Sequence, residues 1–141
     1  PAPELNSHII IKLIKEFCKK NENARYIKSL GRNNYFSCLK HFDILFGNSS
    51  SGIIEAPYFN IPVINIGKRQ LGRDYSLNII NCSYTYSDLF NKINYALSTQ
   101  FQKKLRKNKA IYFKKNTVEK IYKKVSKLKL NDDLSKKFID L

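Results

Sequence analysis

A run of small polar residues gives this chain its clearest capacity for chemistry. Residues 47–52 read Gly-Asn-Ser-Ser-Ser-Gly and lie between a short apolar run and a helix-like segment. At such a turn the helix N-terminus offers unpaired backbone N–H groups, and serine hydroxyls add donors of their own. The segment therefore predicts diphosphate binding through Ser49 and Ser50. Ser51 is a further candidate, and Gly52 would allow close backbone approach. The alternative is an ordinary helix cap, which needs only one serine.

Three charged residues are predicted near the same turn. We expect Glu55 about one turn into the helix, where its carboxylate can accept hydrogen bonds from the paired hydroxyls of a ribose. It can equally act as a charge that favours the helix dipole. Arg69 and Arg73 follow the next predicted strand, so their loop should share the carboxyl edge of the sheet. Arginine suits phosphate through bidentate donation, although surface solubility is the simpler interpretation, above all for Arg73.

Apolar spacing indicates the elements that would position these residues. Helices are predicted over residues 6–20, 33–41, 52–59, 86–97 and 117–128, and strands over 24–28, 42–46, 62–66 and 78–80. Strands that alternate with helices predict an α/β fold with a parallel sheet and helices on both faces.

Composition limits the class of protein. A chain of 141 residues is long enough for one domain, and no apolar run approaches the length of a membrane span. The three cysteines lack CxxC spacing, so we expect reduced thiols in a cytoplasmic protein and no metal or other cofactor. The net charge is +15, and 14 of the 26 lysines and arginines fall in residues 101–141. Lysine dominates this tail, which favours a solvated surface over specific nucleic-acid binding.

Three ordered motifs resemble one enzyme family. They are Gly-Asn-Ser-Ser-Ser-Gly-Ile-Ile-Glu-Ala-Pro over 47–57, Pro-Val-Ile-Asn-Ile-Gly over 62–67, and Arg-Gln-Leu-Gly-Arg over 69–73. They are similar to UDP-N-acetylglucosamine 2-epimerases, above all to the hydrolysing branch that serves sialic acid and nonulosonate biosynthesis. The resemblance implies a glycosyltransferase-B-like fold. Residues 1–141 would be its C-terminal, Rossmann-like UDP-binding domain, a fragment without the N-terminal catalytic domain.

The resemblance also implies roles for individual residues. Ser49 and Ser50 would hold the diphosphate, Glu55 would take the ribose hydroxyls, and Arg69 would lie near the phosphates and the sugar. Leu30 would offer backbone contacts to uracil, and it follows a predicted strand, where such contacts are expected. Tyr35 is a candidate for stacking on the base, with core packing as the alternative.

The implied reaction converts UDP-N-acetylglucosamine and water to N-acetylmannosamine and UDP, and the expected small-molecule partners are UDP and a UDP-N-acetylhexosamine. The resemblance places the acid and base groups of this reaction in the N-terminal domain or before residue 1. His8 and His41 are most simply structural or exposed. The full-length enzyme would be a possible homo-oligomer, with no membrane partner. Two alternatives stay open: the donor domain of a glycosyltransferase of similar fold, and a basic nucleic-acid-binding module.

Overall fold

The fold is α/β and Rossmann-like, as the sequence predicts. The computed structural model describes residues 7–128, and by its contacts the chain divides into two compact units, residues 1–42 and 43–141. The described part of the first unit holds helices α1 (Ser7–Lys20) and α2 (Gly31–Leu39). The second unit holds the sheet, with strands β1 (Leu45–Gly47), β2 (Val63–Ile66) and β3 (Ile79–Cys82). Its helices are α3 (Ser50–Ile54), α4 (Ala56–Phe59), α5 (Tyr86–Leu97), α6 (Thr99–Leu105) and α7 (Thr117–Val125).

Helix α1 confirms the first predicted helix from Ser7 onward, while Asn6 lies outside the described residues. Lysines occupy its last turn, where positive charge favours the helix dipole, and the Asn21 side chain donates to the Phe17 carbonyl at 2.8 Å. No residue of α1 is buried. Two residues of its apolar stripe, Leu13 and Phe17, are each about 60% exposed.

The strand predicted over residues 24–28 was wrong. The segment has no regular structure, and it follows a turn in which the Ala24 N–H donates to the Asn21 carbonyl. The Arg25 guanidinium donates to the carbonyls of Glu22 and Ala24, so local contacts occupy groups that a ladder would use. A strand needs a neighbouring strand to satisfy its backbone, and the three strands found in residues 7–128 pair only with one another.

The helix predicted over 33–41 begins and ends two residues earlier, as α2. The helix predicted over 52–59 is two short helices, α3 and α4, that break at Glu55. Pro57 explains the break, because proline has no N–H to donate and its ring would clash with the carbonyl four residues before it. The chain leaves α4 through Asn60, whose φ of 58° is the left-handed conformation that asparagine tolerates at a helix C-terminus.

The sheet is parallel, in the order β1-β2-β3. Side chains alternate between its faces. Ile64, Ile80 and Cys82 point to the face that α5 and α6 cover, where they form the main core with Ala96, Phe101 and Leu105. Val63 lies on the other face, against Gly52 of α3. The prediction of helices on both faces is therefore confirmed for the second unit.

Helix α5 has the predicted bounds, whereas α6 was missed. Helix α6 has only two apolar residues, Phe101 and Leu105, and its other positions include two Lys and two Gln residues. Two apolar positions are too few to show a helical period. Beyond α6 the chain is anchored by side-chain amides. Asn108 donates to the Pro57 carbonyl and accepts from the Asn78 N–H, and buried Asn78 donates to the Ile61 carbonyl.

Candidate functional site

The serine loop, residues 48–51, joins β1 to α3 at the carboxyl end of β1. Ser49 is the N-cap of α3, with extended backbone, and its Oγ accepts from the Ser51 N–H at 3.3 Å. The Ser49 carbonyl also accepts from the Gly52 N–H at 3.1 Å. The capping role considered for this serine cluster is therefore present, and it is filled by one serine. Ser49 is exposed, while Ser50 and Ser51 are half-buried.

Gly52 serves a packing contact within the second unit. It is buried, and a Cβ added to it would stand 2.9 Å from Cγ1 of Val63. Leu45 lies nearby on the same face of the sheet. The close approach that the structure shows at Gly52 is thus to β2, and the lack of a side chain sets how near α3 comes to the sheet.

Glu55 occupies the junction between α3 and α4. The sequence places it about one turn into a continuous helix, but the structure puts it after the last residue of α3 and at the N-cap of α4. Its side chain does not cap α4. The residue is half-buried, and across residues 7–128 its carboxylate has no hydrogen bond or ion pair. A half-buried carboxylate in this state keeps its full capacity to accept hydrogen bonds.

Arg69 and Arg73 lie in the arginine loop, residues 67–75, which begins directly after β2. Both are exposed. The loop opens at Gly67, whose φ of 77° favours glycine, and its N–H donates to the Cys82 carbonyl at 2.8 Å. The ring of Tyr84 occupies the space that a Cβ on Gly67 would need. As predicted, the loop leaves the same edge of the sheet as the serine loop, because β1 and β2 are neighbouring parallel strands.

Gln70, which is not among the predicted site residues, joins these two loops. Its side chain is 3% exposed, and Nε2 donates to the Asn48 carbonyl at 2.8 Å. The Tyr75 hydroxyl donates to the Gln70 carbonyl at 2.9 Å. No pattern of hydropathy separates a buried loop glutamine from an exposed one. Its place beside Arg69 in the third motif was the one available signal.

Leu30 and Tyr35 belong to the first unit, whereas the other predicted site residues belong to the second. Leu30 is half-buried at the N-terminal end of α2, in helical conformation and without a side-chain cap. It does not follow a strand, since residues 24–28 form none, so that independent support for a uracil contact is lost. Tyr35 is half-buried within α2, and its ring lies 6.0 Å from that of Phe36.

The titratable groups with shifted pKa values lie at the end of β3. The backbone N–H of Ser83 donates to Asp88 at 2.7 Å and lowers the pKa of that carboxyl, with Lys92 adding to the effect at 3.8 Å. Burial raises the pKa of the Cys82 thiol, and the Asp88 charge raises it further. His8 and His41 are exposed. Across residues 7–128, no three His, Cys, Asp or Glu side chains cluster as metal ligands would, and no helix has the length and apolar character to cross a bilayer.

Comparison with known proteins identifies relatives across most of the chain. A hydrolysing UDP-N,N'-diacetylbacillosamine 2-epimerase of Legionella pneumophila is 39% identical over 98 residues, which cover 70% of this chain and 26% of that protein. A hydrolysing GDP/UDP-N,N'-diacetylbacillosamine 2-epimerase of Campylobacter jejuni is 37% identical over 139 residues, which cover 96% of this chain and 35% of that protein. The polysialic acid biosynthesis protein P7 of Escherichia coli is 33% identical over 115 residues, which cover 82% of this chain and 29% of that protein.

The chain thus spans only about a quarter to a third of the length of these relatives. The family model for UDP-N-acetylglucosamine 2-epimerases matches residues 1–126, which include the serine loop, Glu55 and the arginine loop. The chain belongs to the UDP-N-acetylglucosamine 2-epimerase family.

Proposed function

We propose that this chain is the UDP-binding part of a hydrolysing UDP-N-acetylhexosamine 2-epimerase. One observation carries the proposal: the serine loop and the arginine loop leave the same edge of a parallel sheet and are tied together by the hydrogen bond from Gln70 to Asn48. Hydroxyl donors and guanidinium groups at one such edge suit a diphosphate. Membership of the family supports the nucleotide as UDP.

Ser49 can cap α3 and bind phosphate at once. A hydroxyl has one donor hydrogen and two acceptor lone pairs. Its oxygen accepts from the Ser51 N–H, which leaves the Ser49 hydrogen for a phosphate oxygen. Ser50 and Ser51 supply further hydroxyls on the first turn of α3, and Arg69 supplies the positive charge. Arg73 is a further candidate, four residues later in the same loop.

Glu55 is assigned to the ribose. The residue is half-buried and follows the serine loop closely along the chain. Among residues 7–128 its carboxylate makes no hydrogen bond or ion pair. Two vicinal hydroxyls could each donate to one carboxylate oxygen, which repays the partial burial of the charge. The break between α3 and α4 is compatible with this assignment, because Glu55 lies between the two helices and not within a continuous one.

The uracil contacts are assigned to α2. Leu30 would contribute backbone groups at the start of that helix, and Tyr35 would contribute its ring. The alternative role of Tyr35 is packing beside Phe36, whose ring centroid lies 6.0 Å from that of Tyr35.

The reaction would remove the proton at C2 of the sugar, expel UDP and add water, giving a free N-acetylhexosamine such as N-acetylmannosamine. N-acetylglucosamine and N,N'-diacetylbacillosamine are the sugars in the names of relatives, so we propose a UDP-linked N-acetylated hexosamine as the substrate class. The acid and base would come from a further domain, since residues 7–128 offer two exposed histidines and no paired acid and base at the serine loop. We place the enzyme in the cytoplasm, where nucleotide sugars are made and used.

Isotope-labelled chain titrated with UDP tests the site by nuclear magnetic resonance. Amide shifts should concentrate in residues 48–55 and 67–73. Shifts confined to the lysines of α7 would show adsorption of an anion to a basic surface, and the proposed site would have to be abandoned.

A further inference from the structure

Gln70 is held at both its side chain and its backbone. Nε2 donates to the Asn48 carbonyl at 2.8 Å, and the Gln70 carbonyl accepts from the Tyr75 hydroxyl at 2.9 Å. The Arg73 N–H donates to the same carbonyl at 3.4 Å. One residue therefore connects the serine loop, the turn that carries Arg69, and the end of the arginine loop.

The buried side-chain amide of Gln70 has, among the described residues, a hydrogen-bond partner for its nitrogen but none for its oxygen. The residue is 3% exposed, and within residues 7–128 nothing donates to its buried Oε1. An amide that gives up water for one hydrogen bond is poorly compensated in stability. Its burial is better explained by where the bond leads, which is the residue directly before Ser49.

We infer that Gln70 is a positioning residue for the diphosphate, an inference that rests on the proposed function. It does not need to touch the ligand. Without Gln70, the direct hydrogen bond between the serine loop and the arginine loop is lost. The arginine loop stays anchored elsewhere, through Gly67 to Cys82 and through Asp74 to Tyr112, so its position is then set less directly by the serine loop. With Gln70, the hydroxyls of one loop and the guanidinium of the other are presented in one arrangement, so less ordering is required when the diphosphate binds.

Gln70→Glu tests this inference against a matched control. The change keeps the size of the side chain but replaces the donating amide with an acceptor that faces the Asn48 carbonyl. Gln102→Glu is the control, because Gln102 also donates Nε2 to a backbone carbonyl, that of Ala96 at 2.9 Å, on helices away from both loops. Tyr75→Phe is a milder variant that removes only the hydroxyl bond to Gln70.

Two measurements on the full chain separate positioning from general loss of structure. In UDP titrations at a temperature where each variant is folded, Gln70→Glu should weaken affinity by roughly 5- to 10-fold and Tyr75→Phe by roughly 2- to 3-fold, while Gln102→Glu should match wild type. In hydrogen exchange without nucleotide, Gln70→Glu should raise exchange in residues 48–52 and 67–75 together, and Gln102→Glu should leave both segments unchanged.

The outcomes distinguish this inference from the proposed function. Wild-type chain that does not bind UDP contradicts the proposed function and with it any role of Gln70 in UDP binding. UDP binding that is equal in wild type, Tyr75→Phe and Gln70→Glu overturns the positioning role alone. Faster exchange in only one of the two loops also overturns it, because the loops would then not be coupled. If Gln70→Glu does not fold, Tyr75→Phe decides by the same two measurements.

Discussion

Ser49 has a capping role in the fold that is compatible with its proposed phosphate role. The Ser49 oxygen accepts from the Ser51 N–H, which caps a helix of only five residues. Such a cap contributes roughly 0.5–2 kcal/mol. The same hydroxyl retains its donor hydrogen, so the capping role does not exclude the phosphate role. Glu55 differs, because its side chain caps neither helix. Its charge lies at the C-terminal end of α3, which opposes the helix dipole, and at the N-terminal end of α4, which favours it, so the two dipole effects offset each other.

Glu55→Gln should weaken UDP binding roughly 3- to 10-fold while changing stability little. A neutral amide accepts hydrogen bonds less strongly than a carboxylate, and Glu55 has no partner among residues 7–128 to lose. Calorimetric titration of UDP measures the first effect and thermal unfolding the second.

Glu119→Gln provides the control, because it removes the same charge from an exposed position, where Glu119 pairs with Lys123. Loss of a negative charge by itself should attract an anionic nucleotide slightly more. Tighter or equal binding in Glu55→Gln, together with a lower melting temperature, would favour a structural role for this carboxylate.

At the scale of elements, the predictions succeeded where local rules decide the outcome. The bounds of α5 and the strand over residues 63–66 follow from local residue types. The break at Glu55 was predictable from Pro57 and was overlooked. The strand expected at 24–28 depends on a partner strand, which no local pattern supplies. The site shows the same division, since the loops were predicted from their positions and the Gln70 contact was not.

Gly52→Ala should destabilise the chain even though alanine is the better helix former by about 1 kcal/mol. Its Cβ would stand 2.9 Å from Cγ1 of Val63, a β-branched side chain with little freedom to move in a strand. Overpacking of this kind costs about 1–3 kcal/mol. Urea unfolding of Gly52→Ala, Val63→Ala and the double variant should show that the double variant is more stable than the two single effects predict. Strict additivity would mean that the contact does not limit this position.

Asp88 makes the start of α5 sensitive to acid. The hydrogen bond from the Ser83 N–H lowers the pKa of this carboxyl below its ordinary value of 3.8, so the charged form stabilises the fold. That contribution is present above the ordinary pKa and is lost as the pH falls through the lowered folded-state pKa. Unfolding free energies measured from about pH 5 downward should therefore fall less steeply in Asp88→Asn than in wild type.

Lys92→Gln tells the two causes of this shift apart. It should flatten the pH dependence less than Asp88→Asn, because the Ser83 hydrogen bond is the larger cause and the Lys92 ion pair, at 3.8 Å, the smaller. An unchanged slope in Asp88→Asn would show that other groups govern acid unfolding.

At the scale of the whole molecule, each unit exposes an apolar helix face. In α1 the exposed residues include Leu13 and Phe17, and in α7 they include Val118 at 82% and Tyr122 at 71%. Apolar helix faces normally pack against a protein core, another domain or a partner protein. The relatives are about three to four times as long as the matched segments, which agrees with the proposal that catalysis needs a further domain.

This chain alone should show no measurable turnover of UDP-N-acetylglucosamine. An acid or base group typically accelerates such a step ~10²–10⁴-fold, and exclusion of water by a second domain adds to this. Release of UDP from the nucleotide sugar, followed over hours with purified chain, is the measurement. Steady release that disappears in Arg69→Ala would place the chemistry within this chain and contradict the division of labour between domains.

Comparison of UDP, UMP and uridine by calorimetric titration tests whether this chain binds a nucleoside diphosphate, with inorganic pyrophosphate as the control for attraction to a chain of net charge +15. UDP should bind with a Kd of roughly high micromolar to millimolar, because in the proposed division of labour a further domain supplies part of the contacts to the nucleotide sugar. UMP and then uridine should bind more weakly, since lost charge-assisted contacts cost about 1.5–3 kcal/mol, and pyrophosphate should also bind more weakly than UDP. Equal affinity for uridine and UDP would contradict the phosphate assignment, and equal affinity for pyrophosphate and UDP would contradict a nucleotide site.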